Sequence, residues 1–433
     1  MIKKKKGARG RRAPPKKSEP CRKAAAVLQK SPHRLDSRAK TGYPKRDLQK
    51  SGNQKVGEQS TLETILSLCG IRKQFDGVEV LKGIDLDVRK GEFLTFLGPS
   101  GCGKTTTLRI IAGLEAPDTG RVLLNGADVT DLPPNKRNVN TIFQNYALFP
   151  HMNVAANIAY PLKLQHKKKP DIQACVADLL DLVQLSGFGG RRPDELSGGQ
   201  RQRVAIARAL AAGGDVLLLD EPLGALDLQL RRQMQRELKA LQKRLGRTFL
   251  YITHDQEEAI NMSDRIAVLH EGRLEQLGTP QEIYDRPKTR FVAGFIGQAN
   301  LFSAEEAGAF EDGVVRLALD GGVGEALAHD GVHELHACEQ VSFCVRSEHI
   351  KISETPVPGF SIAATVRDYS YLGGMLRIVL ALSDGREILC ANRPDGSVLS
   401  AGGRVWVFWD PKNAVFLDRP DGAPEIPRKG ARA

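Results

Sequence analysis

The chain has 433 residues and a mass of 47.3 kDa, which is room for two or three domains. Apolar residues make up 41% and charged residues 26%, so the collagen-like, disulfide-scaffold and wholly disordered classes are excluded. No apolar run approaches the roughly 18 to 20 residues that span a bilayer, so we expect no channel. The basic start leads into no apolar segment, so we expect a cytoplasmic chain without a secretory signal peptide.

The positive charge is concentrated at the start of the chain. Residues 1–60 contain 19 Lys and Arg against 4 Asp and Glu, a net charge of +15, which leaves −3 for the remaining 373 residues. This segment is poor in aromatic and β-branched residues, so it is predicted to be a disordered, solvated extension rather than a site for nucleic acid or anionic lipid. The seven scattered cysteines lack CxxC spacing and are predicted to be reduced thiols.

A glycine-rich turn follows the apolar run GEFLTFL (91–97) and precedes a helical pattern. This strand, turn and helix order is typical of a phosphate loop, in which backbone N–H groups surround phosphate oxygens. Lys104 is expected to reach the β and γ phosphates, and the Thr105 hydroxyl to ligate Mg²⁺. The predicted nucleotide-binding residues are Gly98, Pro99, Ser100, Gly101, Cys102, Gly103, Lys104, Thr105 and Thr106.

A second apolar run, DVLLLDEP (215–222), is typical of a central parallel strand buried on both faces. It ends in two carboxylates. Asp220 is predicted to hold the magnesium or its water shell, and Glu221 to accept a proton from the attacking water or to orient it. The alternative is that these carboxylates are only solubilising turn residues at the strand end. The presence of a phosphate loop in the same chain disfavours that interpretation.

The segment LSGGQRQRVAIARAL (196–210) lies between these two motifs. Ser197 is predicted to be a helix N-cap, and the glycines leave the first-turn amides accessible to an anion. LSGGQ resembles the signature of the ABC ATPases, and the order phosphate loop, Gln144, LSGGQ, DVLLLDEP, LGALD and His254 fits that family throughout. The signature residues are Ser197, Gly198, Gly199 and Gln200.

The resemblance implies an α/β fold, a P-loop ABC-type nucleotide-binding domain with an inserted helical subdomain, and ATP and Mg²⁺ as cofactors. It also implies a homodimer in which the signature of one subunit closes over the γ-phosphate held by Lys104 of the other. It assigns adenine stacking to Phe75, a magnesium contact to Gln144, a dimer contact to Asp227 and a γ-phosphate contact to His254. For Phe75 a core position is the alternative, because an aromatic residue beside a turn is often buried.

After the ATPase motifs the texture of the sequence changes. Residues 303–433 show short alternating strands with Gly and Asp-Gly turns, which predicts small β-barrels. VRSEHIKI (345–352), YLGG (371–374) and WDPKNAVFL (409–417) resemble the OB-like TOBE region of ABC importer ATPases. An OB-type barrel can instead bind oligonucleotides, but these strands lack interleaved basic and aromatic residues.

We therefore predict a basic extension at 1–60, an ATPase domain at 61–299 with a helical subdomain at about 145–205, and an all-β OB-like regulatory domain at 300–433. One ATPase module, no long coiled-coil insertion and a following β-domain favour an importer subunit over a soluble ABC ATPase acting on DNA or ribosomes. The implied partners are a second copy, two transmembrane permease subunits and an extracytoplasmic solute-binding protein, with no specific nucleic acid.

The resemblance is strongest to spermidine/putrescine importer ATPases. It rests on LRRQMQRELKALQKRLGRTF, THDQEEAINMSDRIAVLHEGRLEQLGTPQEIYDRP and FVAGFIGQANLF, and it covers about residues 62–417. Ferric-iron, sulfate, phosphonate and sugar importers share much of this scaffold and remain alternatives for the solute. In each case the resemblance implies a peripheral protein on the cytoplasmic face of the inner membrane.

Overall fold

The structure is a computed structural model that describes residues 63–224, 227–311, 313–329, 340–392 and 400–417. The basic extension predicted at 1–60 lies outside the described residues. Two compact units account for the described chain. The first comprises residues 63–95 and 101–254, and the second comprises residues 96–100 and 255–417.

The first unit contains an antiparallel sheet, a parallel sheet and five helices. Its strands are β1 (Thr64–Phe75), β2 (Val78–Arg89), β3 (Phe93–Leu97, whose last two residues belong to the second unit), β4 (Thr119–Leu124), β5 (Ala127–Asp128), β6 (Val139–Ile142), β7 (Val216–Asp220) and β8 (Thr248–Thr253). Its helices are α1 (Lys104–Ala112), α2 (Val154–Leu164), α3 (Lys169–Leu182), α4 (Gly198–Ala212) and α5 (Leu228–Leu245).

The parallel sheet carries the strand ends where the chemistry is expected. β7 pairs in parallel with β6 on one side and with β8 on the other, and β3 lies next to β8. Every residue of β3 and β8 is buried, and in β7 only the final Asp220 is partly exposed. Parallel strands covered on both faces need continuous apolar runs, which is why the runs at 91–97 and 215–222 identify β3 and β7 correctly.

The antiparallel sheet of this unit has the order β2-β1-β4-β5. The hairpin between β1 and β2 turns at Asp76 and Gly77, which both have positive φ angles. Helices α2 and α3 lie between the parallel-sheet strands β6 and β7 in the chain, and α4 packs against both of them. Asn153 caps α2 by accepting from the Ala156 N–H, and Pro170 in the first turn of α3 suits a helix start.

The second unit begins with short helices and a hairpin and continues as an all-β region. Its helices are α6 (Gln256–Met262), α7 (Pro280–Asp285) and α8 (Arg290–Phe295). Its strands are β9 (Arg265–His270), β10 (Arg273–Gly278), β11 (Ala299–Glu311), β12 (Val314–Leu319), β13 (Glu325–His329), β14 (Gln340–Arg346), β15 (Lys351–Ser353), β16 (Ile362–Leu372), β17 (Met375–Leu382), β18 (Glu387–Asn392), β19 (Arg404–Phe408) and β20 (Ala414–Phe416).

The all-β region consists of two five-stranded antiparallel sheets around one core. Their orders are β13-β12-β11-β14-β20 and β15-β19-β16-β17-β18. Phe302 and Phe343 stack at a centroid distance of 5.1 Å, and Trp409 lies 5.3 Å from Phe302 and donates its indole N–H to the Leu327 carbonyl at 3.1 Å. Aromatic side chains with one satisfied polar group supply large buried surfaces, so this core holds both sheets together.

One buried arginine joins the β-region to the helices that precede it in the same unit. Arg346, 4% exposed at the end of β14, donates to the backbone carbonyls of Tyr284, Ala293 and Ile296. Its guanidinium also lies 4.3 Å from the Tyr284 ring centroid, and the Tyr284 hydroxyl donates to Glu348. These contacts satisfy carbonyls at the ends of α7 and α8 that have no partner within their helices.

The fold expectation is confirmed. The chain combines mixed α/β sheets that carry the phosphate loop with a C-terminal all-β region. Five cysteines within the described residues form no disulfide bond: Cys69, Cys102, Cys175, Cys344 and Cys390. Within the same residues no helix has the length and apolarity needed to cross a membrane. The domain boundaries at 60 and 299 remain predictions.

Candidate functional site

The phosphate loop is shaped by glycines that no other residue can replace without strain. Gly101 and Gly103 have φ angles of +81° and +102°. A Cβ atom added to Gly103 would lie 2.5 Å from Leu81 Cδ2 and 3.2 Å from the Val80 carbonyl oxygen. The loop therefore packs directly onto β2, and its backbone takes the conformation that exposes N–H groups to an anion.

Helix α1 begins at Lys104, directly after this loop, and Thr106 is half-buried in its first turn. Gly98, Pro99 and Ser100 form the first part of the loop, before Gly101. Lys104 is 6% exposed, and its Nζ atom lies 3.6 Å from the Sγ atom of the buried Cys102. The first-turn N–H groups and the ammonium group both provide positive charge at the helix start. This arrangement fits the phosphates of a nucleotide.

Thr105 and Asp220 meet at the end of β7. The Thr105 hydroxyl hydrogen-bonds the Asp220 carboxylate, although the two residues are far apart in the chain. Burial, and then the adjacent Glu221, raise the pKa of Asp220 above its ordinary value, while the hydrogen bond from Thr105 and the charge of Lys104 oppose this shift. A carboxylate and a hydroxyl are the hard oxygen donors that Mg²⁺ prefers, and a cation here would relieve the cost of ionising Asp220. These donors fit magnesium.

Glu221 lies at the next position in an unusual backbone conformation. Its φ angle is +43°, and its N–H donates to the Ile252 carbonyl at 3.1 Å. Its Oε1 atom lies 3.1 Å from Nδ1 of His254, which follows β8, and the His254 side chain is 60% exposed. The two residues therefore form a hydrogen-bonded pair at the carboxyl ends of neighbouring parallel strands, open to solvent and adjacent to Asp220.

Gln144 follows β6, the third parallel strand that ends at this edge. Its side chain is exposed, and its Nε2 atom would lie 3.6 Å from a Cβ added to Gly224. Gly224 in turn donates its N–H to the Glu221 carbonyl at 3.2 Å. The structure thus brings Gln144 close to the turn after Asp220 and Glu221. Its contact with magnesium remains a prediction.

The signature residues form the first turn of α4. Ser197 is the N-cap as expected: its Oγ atom accepts from the Gln200 N–H at 3.3 Å, and Gln200 Oε1 accepts from the Ser197 N–H at 2.9 Å. This capping box leaves Gly198 half-buried and Gly199 buried. A Cβ on Gly199 would lie 2.9 Å from Met234 Sδ of α5, so glycine permits close packing of the two helices.

Asp227 is the N-cap of α5, and its carboxylate accepts from the Leu230 N–H at 2.9 Å. It is exposed, and residues 225–226 before it lie outside the described residues. The close packing of α4 on α5 brings the signature helix and the helix capped by Asp227 together. The dimer contact itself remains a prediction.

Phe75 ends β1 and is 41% exposed, with Lys73 Nζ 5.1 Å from its ring centroid. Lys73 also pairs with Glu115 and Asp118, at 2.9 and 3.2 Å. An exposed ring flanked by a cation is unlike the core position considered as the alternative. Stacking on adenine remains the prediction for it.

Sequence reasoning missed two residues that link these motifs, Tyr146 and Arg208. The Tyr146 hydroxyl donates to the Pro222 carbonyl at 2.9 Å, and Arg208 of α4 donates to the carbonyls of Ala147 and Tyr146 at 2.7 and 3.0 Å. Arg208 interrupts the apolar face in AIARAL, and that interruption is the one signal in the sequence that marks it. Burial raises the pKa of Tyr146 and lowers the pKa of Arg208 from their ordinary values.

Comparison with known proteins agrees with this geometry. The ABC transporter family model matches residues 81–224, and the TOBE domain model matches residues 343–417. The spermidine/putrescine import ATP-binding protein PotA of Frankia alni is 46% identical over 84% of this chain and 81% of its own length. The chain belongs to this family of import ATP-binding proteins.

Further relatives carry the same name. PotA of Acidothermus cellulolyticus is 48% identical over 82% of this chain and 93% of its own length. A solved ATP-binding cassette in a dimeric post-hydrolysis state with ADP and phosphate matches with a TM-score of 0.44 and 30% identity, covering 50% of this chain and 99% of that chain. The family membership makes this chain an ABC-type ATPase, and no alternative class has comparable support.

Proposed function

We propose that this chain hydrolyses ATP to drive the import of a polyamine such as spermidine or putrescine. Two observations support the proposal. The relatives that name this solute are 46–48% identical over most of both chains. The phosphate loop, Asp220, Glu221 and His254 are gathered at one edge of the parallel sheet.

In the proposed mechanism the loop from Gly98 to Gly103 and the first turn of α1 bind the phosphates of ATP through backbone N–H groups. Lys104 adds a positive charge at the β and γ phosphates. Thr105 and Asp220, with Gln144, would hold Mg²⁺, which when bound would neutralise charge on the phosphates. The hydrogen bond between Thr105 and Asp220 supports this assignment, because it already places two oxygen ligands together.

Glu221 is proposed to act as the general base. Its carboxylate accepts a proton from the water that attacks the γ-phosphorus, and the bond from that phosphorus to the bridging oxygen of ADP breaks. The contact between Glu221 and His254 supports this role, since the imidazole can orient the carboxylate while its own side chain stays 60% exposed. The observation that carries the proposal is this pair beside Asp220.

The proposed active form is a head-to-tail homodimer. The first turn of α4, with Ser197 and Gly198 accessible, would complete the site around the γ-phosphate bound to Lys104 of the other subunit. ATP then holds two chains together, and hydrolysis releases them. The change between closed and open dimers is what would move the transporter.

The permease is proposed to dock on the segment from Gln144 to about Gly190, which includes α2 and α3. Two exposed apolar side chains support this surface: Phe143, directly before Gln144, is 40% exposed, and Leu164, the last residue of α2, is 64% exposed. Two permease subunits, with an extracytoplasmic solute-binding protein on their far side, would complete a complex in which this chain lies on the cytoplasmic face of the inner membrane.

The test is transport in a host that lacks its own polyamine importer. The chain is co-expressed with its permease and binding-protein partners, and uptake of labelled spermidine, putrescine, sulfate and ferric iron is measured separately. We expect ATP-dependent uptake of a polyamine and none of the other solutes. The matched control is the Lys104→Ala variant, which keeps the complex but weakens ATP binding.

Uptake of sulfate or ferric iron with no polyamine uptake would assign another solute to the same machinery. Assembly with ribosomes or DNA, and none with a permease, would instead favour the soluble ABC ATPase. Cysteine crosslinking from α2 or α3 to the permease, with a yield that changes on ATP addition, checks the docking surface independently.

A further inference from the structure

The loop after Gln144 contains two adjacent non-glycine residues in the left-handed conformation. Tyr146 and Ala147 have φ angles of +60° and +44°. The Tyr146 N–H donates to the Phe143 carbonyl at 2.8 Å, and the Ala147 N–H donates to Asn145 Oδ1 at 3.2 Å. Non-glycine residues adopt this conformation only where their surroundings enforce it, so the loop is held in a specific shape.

The side chain of Tyr146 connects this loop to the catalytic turn. Tyr146 is 7% exposed, and its hydroxyl donates to the carbonyl of the buried Pro222 at 2.9 Å. Pro222 immediately follows Glu221, whose own φ angle is +43°. The Glu221 N–H is bound by the Ile252 carbonyl and the Glu221 carbonyl by the Gly224 N–H, so the Tyr146 bond completes the restraint on this turn.

Arg208 connects the same loop to the signature helix. It lies ten residues after Gly198, the first residue of α4, and donates to the Tyr146 and Ala147 carbonyls while its guanidinium lies 5.2 Å from the Phe149 ring centroid. The planar guanidinium group of arginine can donate to two carbonyls at once in a fixed geometry, and the ammonium group of lysine does not reproduce that geometry. The position of α4 is therefore transmitted directly to the backbone of Tyr146.

We propose that Tyr146 is a positioning residue that aligns Glu221 for catalysis, and that Arg208 makes this alignment depend on the position of the signature helix. The proposal rests on the proposed role of Glu221 as general base and deepens it. Tyr146 is buried, and its hydroxyl is used by the Pro222 carbonyl, so it is assigned no contact with ATP or the attacking water. It acts by holding the Pro222 carbonyl, one residue after Glu221, and thereby restrains the turn from which the Glu221 side chain projects.

The first test is steady-state ATP hydrolysis by the full chain carrying Tyr146→Phe. This variant removes one oxygen and leaves the buried ring in place. We expect kcat to fall about tenfold with KM for ATP within twofold, since a misplaced catalytic group slows chemistry without weakening binding. Tyr284→Phe is the matched control: the Tyr284 hydroxyl also donates a hydrogen bond, to Glu348 in the second unit, and this variant should retain parental kcat.

The second test asks whether Tyr146 acts through Glu221. In a Glu221→Gln background, single-turnover hydrolysis should not change by more than about twofold when Tyr146→Phe is added, because residues that act as one unit are not additive. Arg208→Lys should lower kcat about threefold in the parent and have less effect when combined with Tyr146→Phe. Thermal unfolding of each variant identifies any loss that comes from misfolding.

Parental kcat in Tyr146→Phe, an equal loss in Tyr284→Phe, or a tenfold loss that persists in the Glu221→Gln background would each overturn the proposal. Failure of the underlying general-base assignment has a different signature. In that case Glu221→Gln alone retains near-parental turnover, whatever Tyr146→Phe does, and Tyr146 is then not a positioning residue for Glu221.

Discussion

The phosphate-loop region and the C-terminal β-region place their important polar groups in different ways. Around the phosphate loop these groups lie at the ends of buried strands: Asp220 is the last residue of β7, and His254 directly follows β8. In the β-region the strands alternate between buried and exposed residues, and the decisive polar contact is the buried Arg346 with carbonyls some 50 to 60 residues away. The functional groups of the phosphate-loop region belong to short contiguous motifs, whereas the β-region is held together by contacts between residues that are far apart in the chain.

The largest effect should come from Glu221→Gln, in the phosphate-loop region. Turnover should fall by about 10² to 10⁴, since the variant removes the proton acceptor while leaving the phosphate contacts in place. ATP binding should persist, and size-exclusion chromatography should show a dimer that forms with ATP and does not dissociate. Lys104→Ala should weaken ATP binding instead. Turnover of Glu221→Gln within about tenfold of the parent would contradict the assignment.

The second largest effect should come from Arg346→Met, in the C-terminal β-region. The side-chain stem is kept, but carbonyls of Tyr284, Ala293 and Ile296 lose their donor in a buried site, which costs about 3 kcal/mol. Hydrogen exchange should show earlier opening of α7, α8 and β14. The control Arg316→Ala removes a surface pair with Glu325 at 2.6 Å and should cost less than about 1 kcal/mol. Equal protection in both variants would mean that Arg346 does not join these elements.

A smaller effect is expected for Phe75, which the family resemblance identifies and which precedes the phosphate loop in the chain. Phe75→Ala should raise KM for ATP about fivefold with kcat nearly unchanged, because loss of one aromatic stack on a base is worth about 1 kcal/mol at an exposed site. Phe75→Tyr should retain parental KM. If Phe75→Ala lowers thermal stability with KM unchanged, the residue has a packing role instead.

The smallest effect concerns stability and pH. The pKa of Asp220 is raised on folding, by burial first and by Glu221 second, so its ionised form opposes folding above the unfolded pKa. Without Mg²⁺, Asp220→Asn should therefore unfold at a slightly higher temperature than the parent at pH 7, and the gain should vanish as pH falls below the ordinary aspartate value. In the presence of Mg²⁺ and ATP, the same variant should lose hydrolysis.

Asp128 provides the control of opposite sign. Hydrogen bonds from the Thr130 side chain and backbone lower the pKa of its exposed carboxylate, so its ionised form favours folding. Asp128→Asn should accordingly lose stability at pH 7, and the difference should disappear as pH falls through the folded pKa. Shifts of the same sign in both variants would show that the pKa directions do not govern these sites.

The sequence alone determined the strands β3 and β7, the phosphate loop and the capped signature helix. Continuous apolar runs such as those of β3 and β7 are needed only where both faces are covered, and Ser197 with Gln200 three positions on is a capping pattern that acts within one turn. The same locality explains why Asp220 and Glu221 were identified: each stands at the end of such a run.

Only the tertiary structure revealed the roles of Tyr146, Arg208 and Arg346. In each case a side chain donates to a backbone carbonyl, more than 40 residues away in the chain. Every residue has a backbone carbonyl, so the acceptor cannot be recognised from the sequence. The residue type of the donor does not identify it either, because nothing in that type distinguishes it from other tyrosines or arginines. The pairing exists because folding buries that carbonyl where no strand or helix neighbour satisfies it.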